Sequence, residues 1–421
     1  MKTLRYAFPL WLLFCSQLAM AQTGTFLDRS QASDLRVVSY NVLWDSIFAE
    51  NNVFQSAKFE RVFTALDPDI LNLQEIGNPF CNDCTPKTGE DVRVLLNTLT
   101  PLGGDGWQVY QGGTNVIASK YPLSMQRDDT SPAGDRRQAI ALVDLPDDQY
   151  DSDFYFLNNH YKCCGDVGGF EDQLRQRQSD AIVNWIRDAR TPGGAVDLEP
   201  GTPFAVVGDL NLVGGTQPLD TLLDGNIINE FTYGADFPPD WDGSTLTDAR
   251  PKHNVTGSNE YTWRNDNSRF APGVLDFVVY SDSALDVSKQ FILNTVEMSA
   301  ADRAATGLQQ LDVTVDGSGN NYDHLPVVVD FRLFDFADSD FDFSRTVDDQ
   351  DLAVWQNGYA AVAAALGDGD SDGNSTVDGL DLLAIQRDFT GSSTSLAAVP
   401  EPSAFILLLI SAVSLSRNRI R

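Results

Sequence analysis

Short apolar, β-branched segments that each run into a polar cluster recur along the middle of this chain. They are LRVVSYN (35–41), DILNLQE (69–75), FYFLNNH (154–160), FAVVGDLN (204–211), VLDFVVYS (274–281) and DHLPVVVDF (323–331). Helical periodicity appears between them, at FERVFTAL (59–66) and EDQLRQRQSDAIVNWIRDA (171–189). Because strand patterns alternate with helical ones, the sequence predicts an α/β sandwich.

The polar residues of these segments are concentrated where strands meet loops, which is where α/β folds build their sites. Asp323 and His324 come before their strand instead of after it. If that strand runs antiparallel to the others, its start lies on the same edge as their ends. The residues expected to converge there are Asn41, Glu75, His160, Asp209, Asn211, Asp323 and His324.

Acidic residues outnumber basic ones 60 to 29, which gives a formal net charge of -31. Residues 22–333 contain 46 acidic and 22 basic residues, so the large middle segment is itself strongly acidic. Such a surface keeps a protein soluble and repels nucleic acid and anionic lipid unless metal ions intervene.

The amino-terminal segment, residues 1–21, has a basic start, an apolar stretch and a small-residue site at Ala19-Met20-Ala21. This pattern predicts an export signal, followed by a linker over 22–34. The alternative is a membrane helix, but the apolar run is only about half of the ~20 residues that a span needs.

The carboxy-terminal segment, residues 400–421, begins with Pro400-Glu401-Pro402, continues with a mostly apolar stretch and closes with three arginines. It follows a linker over 393–399 and resembles the PEP-CTERM sorting signal. The resemblance implies processing by an exosortase-type enzyme, surface sorting or release in a bacterium, and no stable membrane span after processing. A short tail anchor is the alternative.

Residues 334–392 contain an internal repeat, DFDFSRTVDDQDLAVWQ (340–356) and DSDGNSTVDGLDLLAIQ (370–386). Oxygen-bearing side chains at this spacing surround a hard cation in calcium loops. The pair resembles dockerin repeats, which implies Ca²⁺ and a cohesin-like or surface partner. Arg345 and Ser375 stand where such loops usually have glycine, and an acidic linker is the alternative. The candidate ligands are Asp340, Asp342, Ser344, Asp351, Asp370, Asp372, Asn374 and Asp381.

Four cysteines follow the predicted signal: Cys81, Cys84, Cys163 and Cys164. In an exported chain an even count predicts two disulfides, with three possible connectivities. We expect bonds that join the loop after Glu75 to the loop after His160. A bond between the adjacent Cys163 and Cys164 is an alternative, and so is a four-cysteine zinc site.

The ordered segments SYNVLWDS, LNLQEIG, NNHYK, VVGDLNL, LDFVVYSD and YDHLPVVVDF resemble the endonuclease/exonuclease/phosphatase family over residues 35–333. That superfamily includes deoxyribonucleases, AP endonucleases, sphingomyelinases and inositol phosphatases. The resemblance implies a four-layer sandwich of two mixed β-sheets flanked by helices, to which residues 334–392 would add a small helical calcium-loop module.

Carried over residue by residue, the resemblance implies that His324 is the base or polarises the phosphate, with Asp276 orienting its ring. His160 would be the general acid or a phosphate donor, and no match is found for the glutamate that orients it in some members. Asp209 and Asn211 would position the water and the scissile phosphate. Asn41, Glu75 and Asp323 would bind Mg²⁺ or Mn²⁺, and these oxygen ligands also suit Mg²⁺ on chemical grounds.

Four further side chains have simpler expectations. His253 is expected on a surface loop. Arg175 and Arg177 are expected on the solvated face of a helix, with contact to the substrate phosphate as the alternative. Trp263 either borders the site or packs in the core.

The substrate expected from the sequence is nucleic acid, cleaved by an exported endonuclease. Lipid phosphodiesterase or phosphatase activity on the same fold is the alternative, because the fold alone does not select a substrate. A non-catalytic surface scaffold or adhesion protein is the alternative from another class.

Overall fold

The computed structural model describes residues 24–80, 85–128, 136–213, 215–255, 259–313, 321–334 and 336–390. The predicted export signal, the predicted sorting segment, and Cys81 and Cys84 lie outside these ranges. Within them, no helix is both long and apolar enough to cross a membrane.

The strands of the described chain form two six-stranded sheets. Most of them are fully buried, as their apolar, β-branched composition predicts. They are β1 (Leu35–Asn41), β2 (Ile70–Gln74), β3 (Gln108–Gly112), β4 (Asn115–Ser119), β5 (Leu123–Arg127), β6 (Ala139–Val143), β7 (Phe154–His160), β8 (Phe204–Asp209), β9 (Thr247–Asp248), β10 (Asp276–Tyr280), β11 (Leu285–Ile292) and β12 (Val327–Leu333).

The helices lie between the strands and after the last one. Side chains cap several of them: Asn52 accepts from the backbone N–H groups of Phe54 and Gln55, and Thr88 forms a capping box with Asp91. The helices are α1 (Val53–Leu66), α2 (Gly89–Leu99), α3 (Phe170–Ala189), α4 (Gln217–Asp224), α5 (Glu230–Tyr233), α6 (Ala300–Thr306), α7 (Asp349–Gly358) and α8 (Gly379–Asp388), with a 3-10 turn at Leu366–Asp368.

The strand order is β11-β12-β1-β2-β4-β3 in the first sheet and β5-β6-β7-β8-β10-β9 in the second. Both sheets are mixed. In the first, β1 is parallel to β2 and antiparallel to β12; in the second, β7 is parallel to β8, and β10 is antiparallel to β8. The ends of β1, β2, β7 and β8 therefore lie on the same edges as the starts of β10 and β12.

The hydrophobic core has two parts that give the molecule four layers. The larger one includes the residues between the two sheets and the buried faces of α1 and α2 on the first sheet. The smaller one packs α3 and α4 on the outer face of the second sheet. The predicted sandwich of two mixed sheets flanked by helices is confirmed.

Residues 24–34, which were predicted to be a linker, pack against the sandwich. Leu27 is buried, and Arg29 donates to the carboxylate of Asp69 at 2.5 Å and to the carbonyl of Asp67 at 2.9 Å. The edge of Phe26 meets the ring of Phe291, with centroids 5.4 Å apart.

The first of the two repeats also contacts the sandwich. The guanidinium of Arg345 donates to the carbonyl of Ser283 at 2.7 Å and lies 3.4 Å from the ring centre of Phe334. Phe343 packs against Trp241 and Phe336. A small apolar cluster, which includes Phe341, Val347 and Ile385, joins the two repeats to each other.

Candidate active site

The structure brings the polar ends of six strands together at one edge of the sandwich. His160, the last residue of β7, is in register with Asp209, the last residue of β8, and Asp209 is in register with Asp276, the first residue of β10. Asn41 ends β1 and Glu75 follows β2 in the other sheet. The site therefore lies across both sheets.

Two buried amide side chains join the sheets directly beneath this edge. Gln74 donates from Nε2 to the side-chain oxygen of Asn158 at 2.7 Å. Asn158 in turn donates to the carbonyls of Leu73 and Val116, at 3.0 and 2.8 Å. These bonds run between the two sheets, so they fix the relative position of the strands that supply Glu75 and His160.

His324 and Asp276 form the shortest pair between candidate catalytic residues. His324 Nδ1 lies 2.7 Å from Asp276 Oδ2, and because a carboxylate only accepts, the ring donates from Nδ1. His324 Nε2 lies 3.6 Å from Asp209 Oδ2, so it faces the other candidate groups. Thr262 accepts from the backbone N–H of Asp276 at 2.9 Å, which holds the start of β10 in place.

Asn41 lies between the two carboxylates that come from opposite sheets. Its Nδ2 is 3.2 Å from Glu75 Oε1 and 3.1 Å from Asp209 Oδ2. The other oxygen of Glu75 accepts from the backbone N–H of Trp44 at 3.1 Å. Glu75 itself has a left-handed backbone with φ 69°, a conformation that costs free energy in a non-glycine residue and directs its side chain into the site.

Asp45 holds the loop that follows Glu75. Its carboxylate is fully buried and accepts from the backbone N–H groups of Gly77, Asn78 and Lys87, at 2.6, 2.8 and 3.1 Å. The sequence analysis did not identify Asp45, although it stands four residues after Asn41 in the same motif.

His160 lies near both carboxylates and contacts one arginine. Its Nε2 lies 3.8 Å from Glu75 Oε1, 3.6 Å from Asp209 Oδ2 and 2.5 Å from Arg136 Nη1. Its Nδ1 is buried and has no hydrogen-bond partner among the described residues. No acidic residue in the described part of the chain therefore bonds Nδ1 of His160. Arg136, like Asp45, is a group that the sequence analysis missed.

The two histidines have opposite electrostatic surroundings. Burial, Arg136 and His324 lower the pKa of His160 well below its usual value. Burial also lowers the pKa of His324, but Asp276 and Asp209 outweigh this and raise it well above its usual value. Both rings are buried, so the sign of the nearby charges explains why the pKa of one is lowered and that of the other is raised.

Burial raises the pKa of two carboxyl groups of the site, those of Glu75 and Asp209. Burial is the largest cause that raises the pKa of Glu75 to about 7, and Asp323 adds to it by charge repulsion. The pKa of Asp209 also rises to about 7, again chiefly through burial. Buried carboxylates that repel one another are the donor set that a bound hard cation stabilises, so Asn41, Glu75 and Asp323 fit a Mg²⁺ or Mn²⁺ ion.

Asp323 and Asn211 are held at the margins of the cluster. Trp263 donates from its indole N–H to Asp323 Oδ2 at 3.3 Å, so Trp263 borders the site. Asn211, with φ 49°, donates its backbone N–H to Asp209 Oδ1 at 2.9 Å and its side-chain amide to the carbonyl of Tyr161 at 3.2 Å.

Two expectations about single residues are wrong. His253 is buried, not on a surface loop: its Nε2 lies 2.9 Å from the carbonyl oxygen of Tyr261 and its Nδ1 lies 3.0 Å from Asn294 Nδ2. Arg175 is fully buried and donates to the carbonyls of Lys162 and Cys164, at 2.9 and 2.8 Å. It fixes the loop after His160, whereas Arg177 has an exposed hydrogen bond to Gln173.

The predicted disulfides are not found in the described chain. Cys163 and Cys164 are free thiols whose Sγ atoms lie 2.9 Å apart, beyond the ~2.05 Å of a disulfide bond. Their predicted partners, Cys81 and Cys84, lie outside the described residues. The bond between the two loops therefore stays a prediction.

The repeats contain two further clusters of carboxylates. The ligand atoms of Asp340, Asp342 and Asp351 lie within 4.8 Å of one another, and those of Asp370, Asp372 and Asp381 do the same. Arg345 and Ser375 have φ 67° and 65°, the left-handed backbone that usually favours glycine at this loop position. Ser344 and Asn374 each donate a backbone N–H to the first aspartate of their loop, at 3.0 and 3.2 Å.

A two-sheet sandwich with an imidazole–carboxylate pair and an acid–amide cluster at one edge has the groups that phosphoester hydrolysis requires. The family model described as "Endonuclease/Exonuclease/phosphatase family" matches residues 38–298. The chain belongs to this family, whose members are hydrolytic phosphoesterases.

Similar folds occur among solved structures. The human Nocturnin catalytic domain with bound sulfate is 16% identical to this chain. The match covers 72% of this chain and 96% of the Nocturnin domain, with a TM-score of 0.43. An endonuclease/exonuclease/phosphatase from Bacteroides vulgatus is 14% identical (72% and 99% covered, TM-score 0.45). ANGEL2, a 2',3'-cyclic phosphatase, is 16% identical (71% and 96% covered, TM-score 0.46). A search of curated proteins gives no match.

Proposed function

We propose that this chain is an exported, metal-dependent phosphodiester hydrolase that acts as an extracellular endonuclease on DNA or RNA. The observation that supports it is the convergence of His324–Asp276, Asp209, Glu75, Asn41 and His160 at one edge. Export is inferred from the signal-like sequence of residues 1–21.

In the proposed reaction, water attacks phosphorus and the leaving oxygen departs on the opposite side. Asp276 holds the ring of His324, which directs Nε2 to the reacting groups as base or phosphate-polarising group. Asp209 and Asn211 position the water and the phosphate. His160, whose Nε2 lies 3.6 Å from Asp209 Oδ2, would be the general acid that protonates the leaving oxygen, or a donor to the phosphate.

A divalent ion held by Asn41, Glu75 and Asp323 would neutralise charge that develops on the phosphate. Hydrogen bonds within the chain hold the side chains of these three residues in place. Asn41 and Glu75 are held through the backbone of Leu43 and Trp44, and Asp323 through Trp263.

The test is a panel of phosphodiesters assayed with and without EDTA. The purified protein should hydrolyse plasmid DNA or RNA, and bis-p-nitrophenyl phosphate, only when Mg²⁺ or Mn²⁺ is present. Sphingomyelin and a phosphomonoester test the alternatives of a lipid phosphodiesterase and a phosphatase. Activity that survives chelation contradicts the metal assignment, and the absence of activity on every substrate favours a scaffold or adhesion protein.

For the repeats we propose calcium loops, with a role in attachment to a cohesin-like or surface partner. The support is the two clusters of three aspartates and the loop backbone around them. The carboxy-terminal segment is proposed as a sorting signal for an exosortase-type enzyme, on its sequence.

A further inference from the structure

Arg136 is a buried arginine at the edge where the candidate catalytic groups meet. Only 8% of the surface of Arg136 is exposed. It lies three residues before β6, which runs antiparallel to β7, and His160 ends β7. The start of β6 and the end of β7 therefore share one edge, and this brings the guanidinium against His160.

Among the described residues, which do not include 129–135 directly before it, Arg136 forms no ion pair with a carboxylate within 4.0 Å. Its partner is the neutral ring nitrogen Nε2 of His160, at 2.5 Å. Other buried arginines here are paired with acids: Arg36 binds Asp330 through two bonds of 2.7 Å, and Arg175 contacts Asp172 at 3.0 Å. The charge of Arg136 acts on Glu75, whose pKa it lowers, but no described carboxylate is in direct contact with the guanidinium. A buried cation whose contact is a ring nitrogen and not a carboxylate is stabilised by an anionic ligand, so this position suits one.

We propose that Arg136 binds the phosphoryl group of the substrate, donating from its guanidinium to the non-bridging phosphate oxygens. This inference rests on the proposed function. A guanidinium suits the role because its planar set of donors matches two phosphate oxygens at once and stays charged at any physiological pH. In a chain with a net charge of -31, it supplies a positive charge where the polyanion must bind.

The same contact changes what His160 does. Because Nε2 accepts a hydrogen bond from Arg136, that nitrogen is not a donor to the leaving oxygen in this arrangement. His160 instead positions Arg136, and Arg136 stabilises charge on the phosphate without transferring a proton. The leaving oxygen then takes its proton from solvent water.

The neighbouring Arg137 is a matched control. It is the same residue type at the next position, but it is exposed and pairs with Asp128 at 3.0 Å. An exposed ion pair of this kind contributes little to stability, so its loss should leave the site unchanged.

The experiment compares Arg136→Ala, Arg136→Lys and Arg137→Ala by steady-state hydrolysis of bis-p-nitrophenyl phosphate and DNA. Loss of one preorganised donor to the transition state costs about 10²–10³-fold, so Arg136→Ala should lose that much kcat/KM on both substrates. Arg136→Lys should recover part of it, and Arg137→Ala should stay within about twofold of the parent. Millimolar guanidinium chloride should partly restore Arg136→Ala and leave Arg137→Ala unchanged.

Inorganic phosphate supplies a readout that does not depend on turnover. Phosphate should raise the Tm of the parent and Arg137→Ala, but not that of Arg136→Ala, because it occupies the folded site. If the parent hydrolyses no substrate and phosphate stabilises it only through Arg136, the phosphate site stands and the proposed function fails.

If the parent is active and Arg136→Ala equals Arg137→Ala in both assays, the role of Arg136 is overturned while the proposed function stands. If the parent neither turns over nor binds phosphate, both fail. Should Arg136→Ala not fold, as judged by circular dichroism, Arg136→Lys decides: parent-level kinetics and phosphate binding in that variant overturn the proposal.

Discussion

The three histidines of this chain have different structural roles, which their sequence neighbours only partly indicate. His324 follows Asp323 ahead of a strand, a position that the motif YDHLPVVVDF predicted to be in the site, and its bond to Asp276 is the pairing that the family resemblance implied. His253 has no such motif. Its burial depends on Asn294 and Tyr261, residues 41 and 8 positions away, which no local pattern reveals.

Replacing each of these two histidines should affect activity differently. His324→Ala removes a group that supplies general acid–base or electrostatic help, so kcat/KM should fall by about 10²–10⁴-fold. It also leaves the buried carboxylate of Asp276 unpaired, which should cost about 3–5 kcal/mol of stability. His253→Ala leaves Asn294 and the carbonyl of Tyr261 unpaired, which should cost about 1–3 kcal/mol of stability and leave kcat near that of the parent.

Enzyme kinetics and urea unfolding of both variants check this pair of expectations. The assignment of the site fails if the two variants, assayed where both are folded, lose the same activity.

Arginines show most clearly what a sequence does not reveal at the residue scale. Arg175 lies on a helix whose pattern suggested a solvated face, yet it is buried because the carbonyls of Lys162 and Cys164 need donors. Arg136 stands in the run GDRRQ beside Arg137, and nothing in the sequence distinguishes the two. Only the pairing of β6 with β7 brings one of them to His160.

At the scale of elements, the strands that end in polar clusters were predictable because a short run of apolar, β-branched residues is enough to indicate a buried strand. The sequence also indicated that the last strand must run antiparallel for its leading Asp-His pair to join the others, and β12 does pair antiparallel with β1. The contact of the first repeat with the sandwich was not predictable, since Arg345 and Phe343 meet residues that are far away in sequence.

The two repeat loops should bind calcium with different affinities. The second loop has Asn374 where the first has Ser344, so it offers a better oxygen donor and should bind more tightly. In isothermal titration of the full chain, Asp381→Asn should remove the tighter binding phase and Asp351→Asn the weaker one.

Asp349→Asn is the matched control, because Asp349 is exposed at the start of α7 and outside both clusters. A parent protein that releases no heat with millimolar calcium would favour the acidic-linker interpretation.

At the scale of the whole molecule, the net charge of -31 opposes binding of a polyanion. Added salt shortens the screening length from ~30 Å at 0.01 M to ~8 Å at 0.15 M, which weakens this repulsion. The KM for DNA should therefore fall as NaCl is raised over this range at constant Mg²⁺, while kcat/KM for the small bis-p-nitrophenyl phosphate changes little.

The measurement is a salt titration of the initial rates on both substrates. A KM for DNA that instead rises steeply with salt indicates release of counterions from a basic binding track, which contradicts repulsion as the dominant effect.

The site lies across two sheets, and this has a consequence for how activity is acquired. Asn41 and Glu75 belong to one sheet, His160 and Asp209 to the other, and the buried Gln74–Asn158 bond forms only when the sheets meet. A refolding intermediate that has formed one sheet contains half of the catalytic groups and cannot turn over. Recovery of catalysis during refolding thus reports the docking of the two halves, later than any signal from secondary structure.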